Sequence, residues 1–225
     1  MERPLVCVNM AMTADGKITS ASREYPTFTS AHDRRTMDRL RAEADAVLVG
    51  AGTLRADDPQ LQVREPEMRA YRRRLGKREG LIQVVVTASL ELDLSARFFQ
   101  ERAAARIVAT VEEAPEDRVR RLEAAAEVWK VGRGRIDLPE LLARLRRRGV
   151  ERLLVEGGGE LNWAFASAGL LDEIYVTVAP CLLGGRDAPT LLEGPGLAMA
   201  ARVRLRLADL RREGDEIYCR YEVVR

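Results

Sequence analysis

The segment RLLVEGGGELNWAFASA, residues 152–168, decides the predicted fold of this chain. The apolar run that ends at Glu156 predicts a buried strand, and the three glycines after it lead into residues that favour a helix. The same alternation recurs on both sides of this segment. Further strands are predicted at 5–12, 46–50, 81–86, 106–110, 127–131 and 173–179, and further helices at 30–43, 115–126 and 138–148. Strands that alternate with helices predict an α/β fold.

The C-terminal part of the sequence predicts a different kind of strand pairing. Residues 203–207 and 217–224 flank a Glu-Gly-Asp turn and predict an antiparallel hairpin, which makes the sheet mixed. The basic stretch 64–80 is interpreted as a loop and as the one plausible domain boundary. Because the composition is similar on its two sides, residues 1–225 are predicted to form a single domain.

The first helix has a recognisable start. Ser30 is expected to cap it, and Asp33 stands three residues later in the capping-box position. Met37, Leu40 and Ala44 then lie on one face of the predicted helix.

Composition excludes several classes of protein. The chain has 225 residues, of which 46% are hydrophobic and 32% charged, and this excludes a disordered chain. The longest uncharged stretch, 174–185, is shorter than the roughly 20 residues of a membrane-spanning helix, and no signal peptide is evident. A net charge of +2 gives no case for a nucleic-acid partner. We therefore expect a soluble cytoplasmic protein with neither a membrane nor a nucleic-acid partner.

The cysteines and the histidine exclude most metal chemistry. Cys7, Cys181 and Cys219 form no CxxC pair, and His32 is the only histidine. Reduced thiols in the cytosol are expected, and no metal site is predicted. A Ser-His-Asp scheme is excluded unless His32 is its base.

The glycine turn, residues 156–160, is the first candidate binding site. Glycines let the backbone approach a ligand, and a helix N-terminus offers N–H groups and partial positive charge, so a phosphate or pyrophosphate fits there. Three consecutive glycines cost entropy without an evident structural gain, which favours a ligand over the alternative of a tight turn that binds nothing. The sequence contains no GxGxxG fingerprint.

A second glycine segment, Gly50-Ala51-Gly52-Thr53, follows the strand predicted at 46–50. Thr53 can donate to a phosphate, and Asp57 can accept from a ribose hydroxyl or an amide. The alternative is a helix cap by Thr53 followed by a solvated acidic pair, Asp57 and Asp58. Because glycine segments follow two strands, we expect a single ligand across the strand ends, held by both segments.

Other charged residues are weaker candidates. Asp15 is either a catalytic acid or part of an ordinary Asp-Gly turn. Arg41 and Arg64 can clamp a phosphate, although a solvated face explains any single arginine in this Arg-rich chain equally well. The basic blocks 69–80 and 144–152 are expected to be solvated surface, because stacking aromatic residues are nearly absent from them.

Five runs of sequence, taken in order, resemble the pyrimidine reductase family of riboflavin biosynthesis, whose fold is similar to that of dihydrofolate reductase. The runs are VNMAMTADGKI (8–18), LRAEADAVLVGAGTLRADDPQL (40–61), VGRGRIDL (131–138), LLVEGGGELNW (153–163) and LLDEIYVTVAPCLLGGRDAPTLLEGPG (170–196). Bacterial members of this family are often fused to a zinc deaminase. The single histidine and the missing CxxC motif imply a reductase alone.

The resemblance implies an NADPH-dependent reduction. Hydride adds to C1′ of a pyrimidine ribosylamino 5′-phosphate and converts the ribosyl group into a ribityl group. The runs at 131–138 and 153–163 are most similar to the stand-alone type, which acts on the 2,5-diamino pyrimidine before deamination. The deaminated substrate, another dihydrofolate reductase-like reductase such as one acting on a pterin, and a nucleotide-binding regulator remain as alternatives. The resemblance also implies a homodimer.

The contacts of the family carry over to this chain motif by motif. Cofactor contacts fall on Ala11, Thr53, Asp57, Thr87, Ala88, Ser89, Val131, Gly157, Gly158, Gly159, Glu160 and Leu161. Substrate contacts fall on Asn9, Ser30, Arg41, Leu61, Arg64 and Glu156. Thr87-Ala88 departs from the family's Asp-Ser pair, and Glu160 replaces a small or hydroxyl residue.

The implied reaction also needs an acid, because the ring oxygen that leaves C1′ must be protonated. We hypothesise that Glu156 or Asp15, or a water that they hold, supplies or orients this proton.

Overall fold

The computed structural model of the chain describes residues 3–23, 28–100 and 105–225. Its strands are β1 (Leu5–Thr13), β2 (Ala46–Gly50), β3 (Ile82–Val86), β4 (Arg106–Thr110), β5 (Glu127–Lys130), β6 (Arg152–Val155), β7 (Glu173–Ala179), β8 (Arg204–Glu213) and β9 (Glu216–Val224). Its helices are α1 (Ala31–Glu43), α2 (Ala51–Asp57), α3 (Pro66–Arg74), α4 (Arg97–Gln100), α5 (Glu116–Glu123), α6 (Leu138–Arg147) and α7 (Gly159–Ser167), with a 3-10 turn at Met199–Ala201. The chain divides into two compact units. The first unit runs to Leu5 and resumes over Asp38–Leu154, and the second consists of Val6–Met37 and Val155–Arg225.

The first unit is built on a parallel sheet. Strands β2 to β5 are parallel in the order β5-β4-β3-β2, and β6 lies on the other side of β2. Parallel strands are buried on both faces, which is why β2 and β3 are short apolar runs rather than alternating ones. Helix α6 packs its leucines inward at helical spacing, and Asp137 caps it by accepting from the N–H of Glu140 at 2.9 Å.

The second unit contains a mixed sheet. Strand β1 is parallel to β7, β7 is antiparallel to β9, and β9 forms a hairpin with β8. The prediction of an α/β fold with a mixed sheet and a C-terminal antiparallel hairpin is confirmed. The first hairpin strand extends over Arg204–Glu213, beyond the predicted 203–207. The sequence does not predict its second half, because nearly all of its side chains are exposed and give no pattern of buried positions.

The start of α1 confirms one half of the capping prediction. The hydroxyl of Ser30 accepts from the N–H groups of His32 and Asp33 at 3.0 and 3.2 Å, as a helix cap does. The capping-box role of Asp33 is wrong. The N–H of Ser30 donates at 2.8 Å to Glu216 on β9, and the carboxylate of Asp33 bonds to Thr29 and Thr177 instead.

The prediction of a loop over 64–80 is wrong, because helix α3 occupies Pro66–Arg74. Pro66 begins the helix at a position where its missing N–H costs nothing. The side chain of Arg72 is buried and donates to the carbonyl oxygens of Arg41, Ala42 and Ala44 at the end of α1. This polar stretch therefore contains a helix, and the buried Arg72 of that helix supports the end of α1.

The basic blocks 69–80 and 144–152 are only in part the solvated surface that their sequence predicts. In the second block, Arg144, Arg146 and Arg148 form ion pairs with Glu140, Glu151 and Glu127 respectively.

Within the described ranges, no helix is long and apolar enough to cross a membrane. The same residues contain no cluster of three or more His, Cys, Asp or Glu side chains that could hold a metal ion.

Candidate functional site

The carboxyl edge of the parallel sheet gathers several of the predicted cofactor residues of the first unit. The register pairs Gly50 with Val86, Val86 with Ala109, and Thr110 with Lys130, so β2 to β5 end side by side. The residues that follow these ends include Thr53 and Asp57 after β2, Thr87, Ala88 and Ser89 after β3, and Val131 after β5. Ligands of open α/β sheets bind at this edge.

Helix α2 begins directly at the end of β2. Gly50 is its N-cap residue with ordinary extended angles, and Thr53 lies inside the helix. The alternative in which Thr53 caps a helix is therefore wrong. The guanidinium of Arg55 donates at 3.3 Å to the carbonyl oxygen of Glu91, which attaches α2 to the segment after β3.

The segment after β3 is shaped by its own side chains. The hydroxyl of Thr87 is buried and accepts from the N–H of Leu90 at 3.1 Å. Ala88 and Ser89 are exposed, and Arg118 donates to the carbonyl oxygen of Ser89 at 2.7 Å. Thr87 therefore shapes the turn, whereas Ala88 and Ser89 face outward.

Val131 is buried, and both of its backbone polar groups are used. Its N–H donates to Thr110 at 2.7 Å, and its carbonyl oxygen accepts from Asp137 at 3.2 Å. Its backbone is therefore fixed at the end of β5, next to the end of β4.

Asp57 differs from the other acidic residues of this edge. Its carboxylate is half-buried and has no hydrogen-bond partner in the described part of the chain, and burial raises its pKa above the usual value. The neighbouring Asp58, by contrast, accepts from the N–H of Arg97 at 2.8 Å. A desolvated carboxylate without a partner makes Asp57 a candidate binding residue.

The glycine turn of the second unit leads from β6 into α7. Gly157 has φ +84°, and a Cβ on it would lie 2.8 Å from the sulfur of Met10. A Cβ on Gly159 would lie 2.7 Å from the carbonyl oxygen of Thr190. Two of the three glycines therefore have a packing reason, and the sequence argument that they bring no structural gain is wrong.

The start of α7 remains suited to an anion. Gly158 is the N-cap residue and provides no side chain to cap the helix. The side chain of Glu160 is exposed, and Leu161 is half-buried. The first N–H groups of a helix and its dipole attract negative charge, as expected for this turn.

Asp15 fixes a loop of the second unit. Its carboxylate accepts from the hydroxyl of Thr13 at 2.6 Å and from the N–H groups of Leu183 and Gly184 at 3.1 and 2.6 Å. These bonds, led by that from Thr13, lower its pKa to about 2. Because three donors already occupy this carboxylate, its contacts favour an orienting role over proton donation.

The loop that Asp15 holds also contacts the start of α7. Lys17 donates from Nζ to the carbonyl oxygen of Ala188 at 3.0 Å. Asn162 donates from Nδ2 to Leu191 at 3.0 Å, and the N–H of Glu193 donates to Gly159 at 3.0 Å. The residues after β1 and the residues after the glycine turn are thus attached to the same loop.

Three more predicted residues of this unit lie on β1 or directly after β6. Asn9 and Ala11 point to the same side of β1, in the half of that strand that is only partly buried. Glu156 follows the last residue of β6 and is half-buried.

Ser30 is engaged by residues of β9. Its hydroxyl donates to Oε2 of Glu216 at 2.5 Å, and the hydroxyl of Tyr218 donates to the same oxygen. Burial alone would raise the pKa of Glu216, but the hydrogen bonds from Ser30 and Tyr218 hold it below its usual value. Sequence reasoning missed Glu216, since no local pattern links residues so far apart in the chain.

Arg41, Leu61 and Arg64, the other predicted substrate residues, come together in the first unit. The guanidinium of Arg41 is buried and donates from Nη1 to the carbonyl oxygens of Gln60 and Gln62 at 2.8 and 3.0 Å. Leu61 is buried between them, whereas Arg64 is exposed. Arg41 therefore supports the segment that carries the other two residues.

Comparison with known proteins gives a consistent result. Residues 4–219 match the RibD C-terminal domain family. The 2,5-diamino-6-ribosylamino-4(3H)-pyrimidinone 5′-phosphate reductase of Archaeoglobus fulgidus is 42% identical over 201 residues, which cover 89% of this chain and 91% of that protein. The protein of the same name from Methanothermobacter thermautotrophicus is 38% identical and covers 98% of this chain and 99% of its own.

The fold of the chain also resembles that of a solved structure. A pyrimidine reductase-like protein of Corynebacterium diphtheriae superposes with a TM-score of 0.85 at 23% identity, over 99% of this chain and 92% of that one.

Proposed function

The chain belongs to the RibD C-terminal domain family, and on that premise we propose that it is an NADPH-dependent reductase of a ribosylaminopyrimidine 5′-phosphate. The family relationship makes it an oxidoreductase of riboflavin biosynthesis. The 2,5-diamino pyrimidinone is the proposed substrate, because that compound is in the names of both archaeal relatives. The chain is proposed to act as a single reductase domain in the cytoplasm, a reducing compartment that suits its three cysteines, none of which forms a disulfide.

The cofactor proposal rests on one observation, the half-buried carboxylate of Asp57. Asp57 ends helix α2, which begins directly after β2 at the carboxyl edge of the parallel sheet. Its half-buried carboxylate has no partner in the described residues, and an amide or ribose hydroxyl of a dinucleotide would supply the missing donor. NADPH, when bound, supplies the hydride. Thr53 and the residues 87–89 of the first unit are the proposed contacts of this ligand.

The chemistry requires one proton besides the hydride. Hydride adds to C1′, the bond between C1′ and the ring oxygen breaks, and that oxygen takes up a proton. We assign the proton to Glu156, directly or through a water, because the carboxylate of Asp15 already accepts from Thr13, Leu183 and Gly184. Arg64 is assigned to the 5′-phosphate, since its guanidinium is exposed at the surface of the first unit.

A homodimer is proposed from the C-terminal hairpin. Leu205, Leu207 and Leu210 on β8 are 43%, 50% and 58% exposed, and the register places them opposite Val223, Tyr221 and Cys219 on β9. They form an apolar row that a second copy of the chain would cover. Replacement of Leu207 and Leu210 by Arg should yield a monomer in light-scattering chromatography, and an unchanged mass would contradict this assignment.

The function is tested by NADPH oxidation at 340 nm with the two pyrimidine phosphates in parallel. We expect turnover of the 2,5-diamino compound and much slower turnover of the deaminated one. The reverse order would reassign the substrate, and turnover of a dihydropterin alone would favour a different reductase. Absence of turnover with all three would leave the nucleotide-binding regulator as the better explanation.

A further inference from the structure

Residues 60–65, the phosphate segment, are held in place by buried polar side chains. Arg41 bonds to the carbonyl oxygens on both sides of Leu61, as described above. Gln83 on β3 is 1% exposed and donates from Nε2 to the carbonyl oxygen of Leu61 at 2.9 Å. Two elements that are distant in sequence therefore fix the backbone of this segment.

A third buried side chain, Asp38 on α1, reaches the end of the same segment. It is 1% exposed, and its Oδ2 accepts from the N–H groups of Arg64 and Glu65 at 2.8 and 2.6 Å. Its other oxygen, Oδ1, is buried without a hydrogen-bond partner in the described residues and lies 3.8 Å from Nε of Arg64. One carboxylate thus faces both the backbone and the side chain of Arg64.

The far end of Arg64 is open. Its side chain is 40% exposed, and neither Nη1 nor Nη2 has a hydrogen-bond partner among residues 3–23, 28–100 and 105–225. A guanidinium is a rigid plane with five donors. A carboxylate on the Nε side restricts its rotation and leaves the two terminal amino groups for bidentate contact with a phosphate.

We propose that Asp38 is a positioning residue that aims Arg64 at the 5′-phosphate of the substrate, an inference that rests on the proposed function. Asp38 is too deeply buried to touch the substrate and acts through Arg64. Gln83 holds the same segment without contact to Arg64, so its role is limited to the backbone.

A double-mutant cycle tests this assignment. Asp38→Asn keeps an oxygen acceptor but removes the charge that faces Nε. We expect it to raise KM for the pyrimidine phosphate about tenfold, with kcat within about twofold and KM for NADPH unchanged. In an Arg64→Gln background the same change should raise KM no further, because the residue through which Asp38 acts is gone.

Gln83→Leu is the matched control, because it removes a hydrogen bond to the same segment at Leu61 and not at Arg64. Whatever effect it has on KM should be the same in both backgrounds. A rise in KM from Asp38→Asn that persists undiminished in Arg64→Gln, or a loss of kcat with KM unchanged, would overturn the proposal. If Asp38→Asn does not fold, the cycle is run with Asp38→Glu and judged by the same criterion.

Failure of the proposed function can be distinguished from failure of the positioning role of Asp38. If the wild-type protein reduces neither pyrimidine, the function fails, and Asp38 is judged by calorimetric titration with ribose 5-phosphate. Binding at least about fivefold weaker in Asp38→Asn than in wild type supports the positioning role. Equal binding by the two proteins, or no binding by the wild type, overturns it.

Discussion

A Cβ on Gly159 would lie 2.7 Å from the carbonyl oxygen of Thr190, closer than real Cβ atoms approach a backbone oxygen. The N–H of Glu193 also donates to the carbonyl oxygen of Gly159, so the loop cannot move away freely. Gly159→Ala is therefore expected to destabilise the protein by about 1–3 kcal/mol, measured by urea unfolding.

Gly52→Ala is the control for that substitution. Gly52 lies inside α2, and a Cβ there meets nothing within 4 Å. The variant should be as stable as wild type or more stable by roughly 0.5 kcal/mol. Equal losses from the two variants would mean that close packing at Gly159 is not the cause.

Arg72 is expected to matter for stability more than its position in a basic stretch suggests. Arg72→Met leaves the carbonyl oxygens of Arg41, Ala42 and Ala44 without their buried donor. We expect a loss of about 3 kcal/mol in the free energy of unfolding. The exposed Arg73→Met should change it by less than about 0.5 kcal/mol, and a similar loss from both would refute the role of Arg72.

Asp15 gives a pH dependence of stability with a definite sign. Its pKa is about 2 in the folded protein against 3.8 for an ordinary Asp, so its contribution is present above about pH 4 and is lost as pH falls toward 2. The difference in unfolding free energy between wild type and Asp15→Asn should be constant from pH 7 to about pH 5 and should shrink below about pH 4.

Asp187→Asn is the control on the same loop, because the carboxylate of Asp187 is exposed and has no hydrogen-bond partner in the described residues. Its unfolding should follow the pH dependence of the wild type. A difference for Asp15→Asn that grows on acidification would show that the sign is wrong.

Asp57 and Asp58 form a matched pair at the end of helix α2. Asp57→Asn should weaken NADPH binding about tenfold, because the substitution removes the charge of an acceptor that has no partner within the described residues. Asp58→Asn should leave binding unchanged, since Asp58 already accepts from Arg97. Fluorescence titration of NADPH measures both, and equal affinities in the two variants would remove Asp57 from the site.

Most of the sheet could be predicted because its strands are short apolar runs. The run at 46–50 became β2 at Ala46–Gly50, and 81–86 became β3 at Ile82–Val86, since burial on both faces needs continuous apolar sequence. Helix α3 was missed because its only fully buried side chain is an arginine, which no hydrophobic pattern reveals.

Less of the candidate site than of the sheet could be predicted from the sequence. The glycine turn was located correctly, but its closeness to Met10 and Thr190 depends on contacts that no local motif encodes. Asp38 and Glu216 act on residues 26 and 186 positions away, respectively, so only the folded chain brings them to their partners.

The most direct test of the account is calorimetric titration of the purified chain with NADPH. We expect saturable heat with about one coenzyme per chain and a Kd in roughly the micromolar range. A flat titration at millimolar coenzyme, from protein that unfolds cooperatively and is therefore intact, would contradict it.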